Sequence, residues 1–449
     1  MSYILDTTPK ISMPKKCENS FICELLENYT YGMKWDVLFN FNDNYITIGD
    51  YTKTKIDKHD DYVLNVTDSG VYIEGNDFPG VMHGFISFLE RIRYSAENNN
   101  FYIECCHITD SPKIQFRCVH LCVFPETTLD FLTKCIRSCS VARYSHIILE
   151  FWGMLKFDCM KELSWPFAYN KEEIKKLIKE ANALGVEIIP MFNHLGHASA
   201  CREIHGKHVV LDQAPKYEYM FNSFGWVWNF KRADVRALLK NIRDELIDIC
   251  GDGNYFHLGC DEAYSFGHNP DKALEMAQYL NEINEELKFK GRRGIIWHDM
   301  LLDETEYKDY IATSTKASAG ILINNISKDF IIADWQYFKC DEMWKSSLHF
   351  KNKGFDVVCC PWHNSKNIDK AVETITKNGL YGLIHTTWDT LTRGFREMIY
   401  AGVNSYGAPP ELLEDIHRFY CANVVRKVTP SFGKYEECGW SRNSTGPGL

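Results

Sequence analysis

From Ile114 onward, short apolar runs alternate with amphipathic stretches, and eight such runs begin near Arg117, His146, Val186, Tyr255, Gly294, Phe330, Asp356 and Leu383. Eight strand–helix units are what a closed (β/α)8 TIM barrel needs, so the pattern predicts an α/β fold of that kind. The helices between the runs are well marked. Asn170 with Glu173 makes a capping box, Ile174, Leu177, Ile178 and Ala181 fall on one face, and Gly185 supplies the stop. The next helix should bury Val235, Leu238, Leu239, Ile242, Leu246 and Ile249. A third opens at Asn269-Pro270 and carries Leu274, Ala277, Leu280, Ile283 and Leu287 inward.

The first 110 residues follow a different rule. Tyr62–Val66 and Val71–Glu74 flank the turn formers Thr67-Asp68-Ser69-Gly70, a hairpin signal. A helix from about Gly80 to Arg93 presents Val81, Phe85, Phe88, Leu89 and Ile92 as one apolar stripe, and a strand from Phe101 to Ile108 follows. Asp110-Ser111-Pro112 reads as a boundary. The 449 residues therefore divide into a small α+β domain, 1–110, and a barrel domain, 111–449.

Composition narrows the function. Net charge is −10 with basic residues scattered, which argues against nucleic acid or anionic lipid as a partner. Neither the N-terminal stretch nor any later run has the apolar length of a leader or a membrane span, so a soluble, cytoplasmic protein is expected. The 17 cysteines sit mostly inside apolar runs such as Val357–Cys360 and read as reduced core thiols, which would leave the acceptor motifs at Asn28, Asn65 and Asn443 unmodified.

In a barrel the C-terminal ends of the strands converge on one pocket. Here those ends carry Glu150 and Trp152; Asn193, His194 and His197; Asp261 and Glu262; Trp297, His298 and Asp299; Trp335 and Tyr337; Trp362 and His363; and Trp388 with Asp389. Four tryptophans ending strands five to eight, with acids and few basic groups, suit a sugar: its C–H faces pack on aromatic surface and its hydroxyls take polar partners. A phosphate site would need a glycine-rich loop or clustered Lys and Arg. Asp261 and Glu262, adjacent on an extended segment, should address different parts of one sugar rather than flank one bond, as in substrate-assisted glycosidases. Two alternatives stand beside this. The histidines and acids at strand ends could hold a metal in a hydrolase, although there is no tight His-x-His pair, or the barrel could bind carbohydrate without chemistry. The leading reading needs no metal and no cofactor.

The segment His257-Leu258-Gly259-Cys260-Asp261-Glu262 resembles the His-x-Gly-Gly-Asp-Glu signature of glycoside hydrolase family 20, the exo-β-N-acetylhexosaminidases, and looks most like intracellular members of the hexosaminidase D kind. Asp110-Ser111-Pro112 leading to Phe116-Arg117, and Ile189-Pro190 with Gly196-His197, resemble other segments of that family. The resemblance implies a retaining, substrate-assisted reaction on a glycan ending in β-linked N-acetylhexosamine. In it Glu262 is the general acid/base and Asp261 holds the 2-acetamido group. Arg117 would bind sugar hydroxyls, Trp297, Trp335 and Trp388 would box the acetamido group and ring, and Glu150 and His197 would support the acids. The family's strand-seven tyrosine is replaced by Pro361-Trp362-His363-Asn364, leaving Tyr337 or His363 for its task. The long stretch from His197 to Asn229, with Tyr217, Tyr219, Phe224, Trp226 and Trp228, is expected either to form part of the pocket rim and aglycone site or to use its aromatics only to pack the loop down.

Overall fold

The computed structural model describes residues 1–18, 21–39, 46–50, 59–199, 206–388, 391–407 and 414–429. The eight apolar runs become β1 (Phe116–Val123), β2 (His146–Phe151), β3 (Glu187–Met191), β4 (Tyr255–His257), β5 (Arg293–Trp297), β6 (Ile331–Trp335), β7 (Asp356–Cys360) and β8 (Gly382–His385). All neighbours pair in parallel, and β8 returns to β1 through Phe116↔Gly382 and Cys118↔Ile384 to close the barrel.

Alternation along each strand decides what faces inward. Phe116, Cys118, Ile148, Ile189, Met191, Ile295, Trp297, Ile331, Ala333, Val358, Cys360 and Ile384 form one interior cluster, as the two-residue period of a strand requires. The capping box at Asn170 and Glu173 is present, and the helix it opens, Lys171–Ala183, buries the expected four residues. In Ala233–Cys250 all six expected positions are buried. In Pro270–Phe289 the expectation fails at Leu274, which is exposed.

The N-terminal part holds a six-stranded sheet, a separate three-stranded sheet that Ser2–Ile4 enters, and the helix Phe78–Arg91. That helix begins two residues earlier than the periodicity suggests, because the Asp77 side chain accepts from the Gly80 N–H at 2.9 Å and sets the cap. The expected single strand from Phe101 to Ile108 is two, Asn100–Glu104 and Cys106–Asp110, which serve different sheets.

Arg117 corrects one expectation. It sits five residues before Cys122, which lies level with Glu150, and so about 16 Å below the pocket at roughly 3.3 Å per strand residue. Its parity is also wrong: Phe116 and Cys118 point into the barrel, so Arg117 points out. There it is fully buried, donating to Asp60 Oδ2 at 2.8 Å and to the carbonyls of Ile114, Gln115 and Arg143. Arg117 thus joins the barrel to the N-terminal unit and does not reach a ligand in the pocket. The guanidinium and His83 outweigh burial and hold the Asp60 carboxyl far below its ordinary range. The last helix, Glu414–Val428, adds a second tie: Asn28 Nδ2 donates to Lys427 O at 2.7 Å and Lys427 Nζ to Asn28 O at 2.8 Å.

Removing one partner of a buried ion pair strands the other charge, which costs about 3–5 kcal/mol. Arg117→Met should therefore lower the urea midpoint markedly while the affinity of any pocket ligand stays as it was. A variant that unfolds like the wild type would show that this pair does not hold the two parts together.

Candidate active site

A cavity of about 550 Å³ opens at the C-terminal ends of the strands. Trp152, Trp335, Trp362, Trp388, Tyr337 and Phe124 form its walls, Asp261, Glu262, His197 and Lys207 supply its charge, and Glu126 and Arg393 stand exposed at its mouth.

The two acids are placed by an unusual turn. After β4 the chain passes through Gly259 (φ 67), Cys260 (φ 75) and Glu262 (φ 50), three left-handed residues in four. Gly259 leaves room for the Asn193 side chain, which an added Cβ would meet at 2.8 Å. At Gly196 a Cβ would stand 2.0 Å from the Asp261 carbonyl oxygen, so nothing larger fits beside the acid. Cys260 explains why the resembled signature has glycine there: the left-handed conformation costs a side-chain residue about 1–2 kcal/mol. The turn is held from outside. The Glu262 N–H donates to Asp299 Oδ2 at 2.9 Å, and Trp226 Nε1 donates to the Glu262 carbonyl at 2.8 Å.

His197 joins the pair. Its Nε2 lies 3.3 Å from Asp261 Oδ2 and 3.1 Å from Glu262 Oε2, and its ring packs on Trp226. Burial alone would lower its pKa, but Asp261 and Glu262 raise it to about 9. Asp261 also accepts from Asn193 Nδ2 at 3.0 Å. Burial works against its charge, and Lys207 and His197 outweigh burial, so Asp261 remains ionised. Behind the turn, burial and the nearby Asp261 charge push Asp299 up to about 7, although Thr313 donates to it at 2.9 Å.

Of the two residues expected to support the acids, His197 contacts both and Glu150 contacts neither. Glu150 projects inward from β2, with Oε1 accepting from Lys207 Nζ at 2.8 Å and Oε2 from His120 Nε2 at 3.0 Å and Trp152 Nε1 at 2.9 Å. Burial opposes its charge, but Lys207 and His120 hold it well below the ordinary carboxylate range.

The aromatic expectation holds with one correction. Trp335, Trp362 and Trp388 line the cavity, whereas Trp297 is fully buried one layer down. The register pairs Trp297 with Ala333, two residues before Trp335. Its ring supports Trp388, 5.6 Å away, and packs on His257. Tyr337 lines the cavity and takes a hydrogen bond from Trp388 Nε1, while His363 is exposed against Trp362. Asp389 lies outside the described residues.

In the loop after β3, Trp226 and Trp228 are buried and pack the loop down, Phe224 is exposed, and among the described residues His197 and Lys207 reach the cavity. Sequence reasoning missed Lys207, Trp152's part in the wall, Glu126 and Arg393. Of these only Trp152 carried a signal, standing two residues from Glu150 with the same parity. The alternative metal set does not assemble: His298 is engaged with Gln336 and the Ile311 carbonyl, and His194 Nδ1 lies 2.7 Å from the Phe192 carbonyl. Among the described residues, none of His194, His197, Asp261, Glu262, His298 and His363 belongs to a cluster of three potential ligands, whereas Glu150 does, with His120 and Cys122.

Residues 148–393 match the model of the glycosyl hydrolase family 20 catalytic domain. A lacto-N-biosidase of Bifidobacterium bifidum is 23% identical over 265 residues, which is 54% of this chain but 22% of that protein. Human hexosaminidase D is 23% identical over 338 residues, covering 68% of this chain and 67% of its own length. The chain thus spans less than a quarter of the first of these relatives. Among solved structures, a Flavobacterium johnsoniae chitobiase superposes with a TM-score of 0.68 at 16% identity, covering 95% of this chain and 69% of that one.

The pKa of His197 has a consequence for stability. Raised from 6.5 to about 9 in the folded state, it contributes stability fully present below 6.5 and lost as pH rises through 9. The stability gap between wild type and His197→Gln, measured by urea unfolding, should therefore narrow between pH 6.5 and 9, by roughly 3 kcal/mol at most. An unchanged gap would mean that His197 is neutral between the two acids.

Proposed function

The chain belongs to glycosyl hydrolase family 20, and from that premise we propose that it is an exo-acting, retaining β-N-acetylhexosaminidase that removes terminal β-linked GlcNAc or GalNAc. The observation that carries this reading is the pair Asp261 and Glu262, bridged by one histidine, in an aromatic-walled cavity. The similarity to human hexosaminidase D supports the same reading.

The chemistry follows from the positions. A terminal N-acetylhexosamine enters with its ring against the tryptophans and its acetamido N–H on the Asp261 carboxylate. Glu262, with a proton reaching it from His197 Nε2 at 3.1 Å, gives that proton to the glycosidic oxygen as the C1–O bond breaks. The acetamido carbonyl oxygen bonds to C1, and the oxazolinium ion so formed is paired with Asp261, which its buried cationic neighbours keep ionised. Water then gives up a proton to Glu262 and attacks C1 from the face the leaving group vacated, releasing the sugar with retention. Tyr337, in the wall beside Trp388, is the candidate for the hydrogen bond to the acetamido oxygen, because His363 faces away from the cavity. The compartment we propose is the cytoplasm: every described cysteine is a free thiol, and no described helix is long and apolar enough to cross a membrane.

General acid catalysis contributes about 10²–10⁴-fold. Glu262→Gln should lose at least about a hundredfold in kcat on an alkyl N-acetyl-β-hexosaminide and less on a nitrophenyl one, whose leaving group hardly needs the proton. Asp261→Asn should lose rate on both alike. Equal losses on the two substrates in Glu262→Gln would remove Glu262 from the acid role.

A further inference from the structure

Lys207 is a lysine whose side chain is 1% exposed, and lysines are almost never fully buried without a partner. Its partner is Glu150, whose own side chain is 1% exposed. A buried ion pair gives little stability over a well-packed apolar pair, and can give less than none. The reason for this one therefore lies in its location. Lys207 lines the cavity, its backbone N–H donates to the His197 carbonyl at 2.9 Å, and its Nζ lies 4.7 Å over the Trp388 ring and 5.4 Å over the Trp152 ring.

The donor count sharpens this. An ammonium has three hydrogens, and among the described residues one is committed, to Glu150 Oε1. The two aromatic faces that flank the others are cavity walls. Glu150, by contrast, spends its oxygens on Lys207, His120 and Trp152, so it anchors the lysine and has no oxygen turned to the cavity without a protein partner. Lys207 lines the same cavity as Asp261, the acid that takes the 2-acetamido group, and helps hold it ionised. The ring substituent next to that group is the 3-hydroxyl.

Resting on the hexosaminidase reading, we propose that Lys207 is a substrate-binding residue that donates a hydrogen bond to the sugar's 3-hydroxyl, with Glu150 as its positioning counter-charge. GlcNAc and GalNAc differ only at C4, so this contact serves both alike and does not choose between them.

The test is calorimetric binding of a GlcNAc-thiazoline, a mimic of the cyclic intermediate, and of its 3-deoxy and 4-deoxy analogues, none of which requires turnover. Hydrogen bonds to charged groups contribute about 1.5–3 kcal/mol, so the wild type should prefer the parent over the 3-deoxy compound by at least about tenfold. Lys207→Met combined with Glu150→Gln, which leaves no orphaned carboxylate, should reduce that preference to near unity and leave the 4-deoxy ratio unchanged. Lys207→Gln, which keeps a shorter neutral donor, gives the same readout if the double variant does not fold. A 3-deoxy preference that survives in the variants, or equal losses for all three ligands, overturns the assignment of Lys207 alone. A wild type that does not bind the parent thiazoline overturns the hexosaminidase reading and the inference with it.

Discussion

A buried carboxylate stays ionised only if a cation is buried with it. Asp261, Glu262 and Glu150 bring three acidic side chains to the upper end of the barrel, and His197 and Lys207 bring the compensating charge. In water these contacts would be nearly worthless. At low effective dielectric each is strong, and the absence of any one would be costly. The result is a partition of roles by environment. Asp261, between Lys207 and His197, is held ionised, while Asp299, behind the same turn and without a cation, is pushed up to about 7. The difference in acidity between Asp261 and Asp299 thus follows where the two cations lie.

That arrangement depends on backbone as much as on charge. Three left-handed residues after β4 bring the Asp261 and Glu262 carboxylates onto one histidine, and such a turn persists only when its surroundings over-determine it. Here Asp299 takes the Glu262 N–H, Trp226 takes its carbonyl, and Gly196 packs against the Asp261 carbonyl where any side chain would collide. The strain is met by contacts from three other segments, so the acids are placed before any ligand arrives.

Much of this was legible in the sequence, for physical reasons that also mark where reading had to stop. The eight strands follow from the spacing of the apolar runs. The convergence of Trp335, Trp362, Trp388, Asp261 and Glu262 follows from barrel geometry alone. Arg117 was misplaced because a motif was read without its parity: on β1 the inward residues are Phe116, Cys118, His120 and Cys122, so an odd-numbered neighbour had to face the N-terminal unit. Trp297 has inward parity but the wrong height, which depends on the stagger between β5 and β6 and is not visible in either strand by itself. Lys207 could not be found this way, since a loop has no period, and a single lysine between Gly206 and His208 looks like any solvated residue until its partner is seen.

The origin of the two cations has a further consequence. His197 and Lys207 both come from the segment after β3, and the acids they neutralise come from β2 and β4. The loop cannot dock without burying two positive charges, and the strands cannot close over their acids without accepting them. Each half is unfavourable alone and the combination is not, so formation of the pocket is cooperative in the sense that a charge network is. Trp226 strengthens the coupling, because the same loop ring that packs on His197 also fixes the Glu262 carbonyl. One segment therefore supplies the histidine between the two acids, the buried ammonium and the hydrogen bond that holds the Glu262 carbonyl.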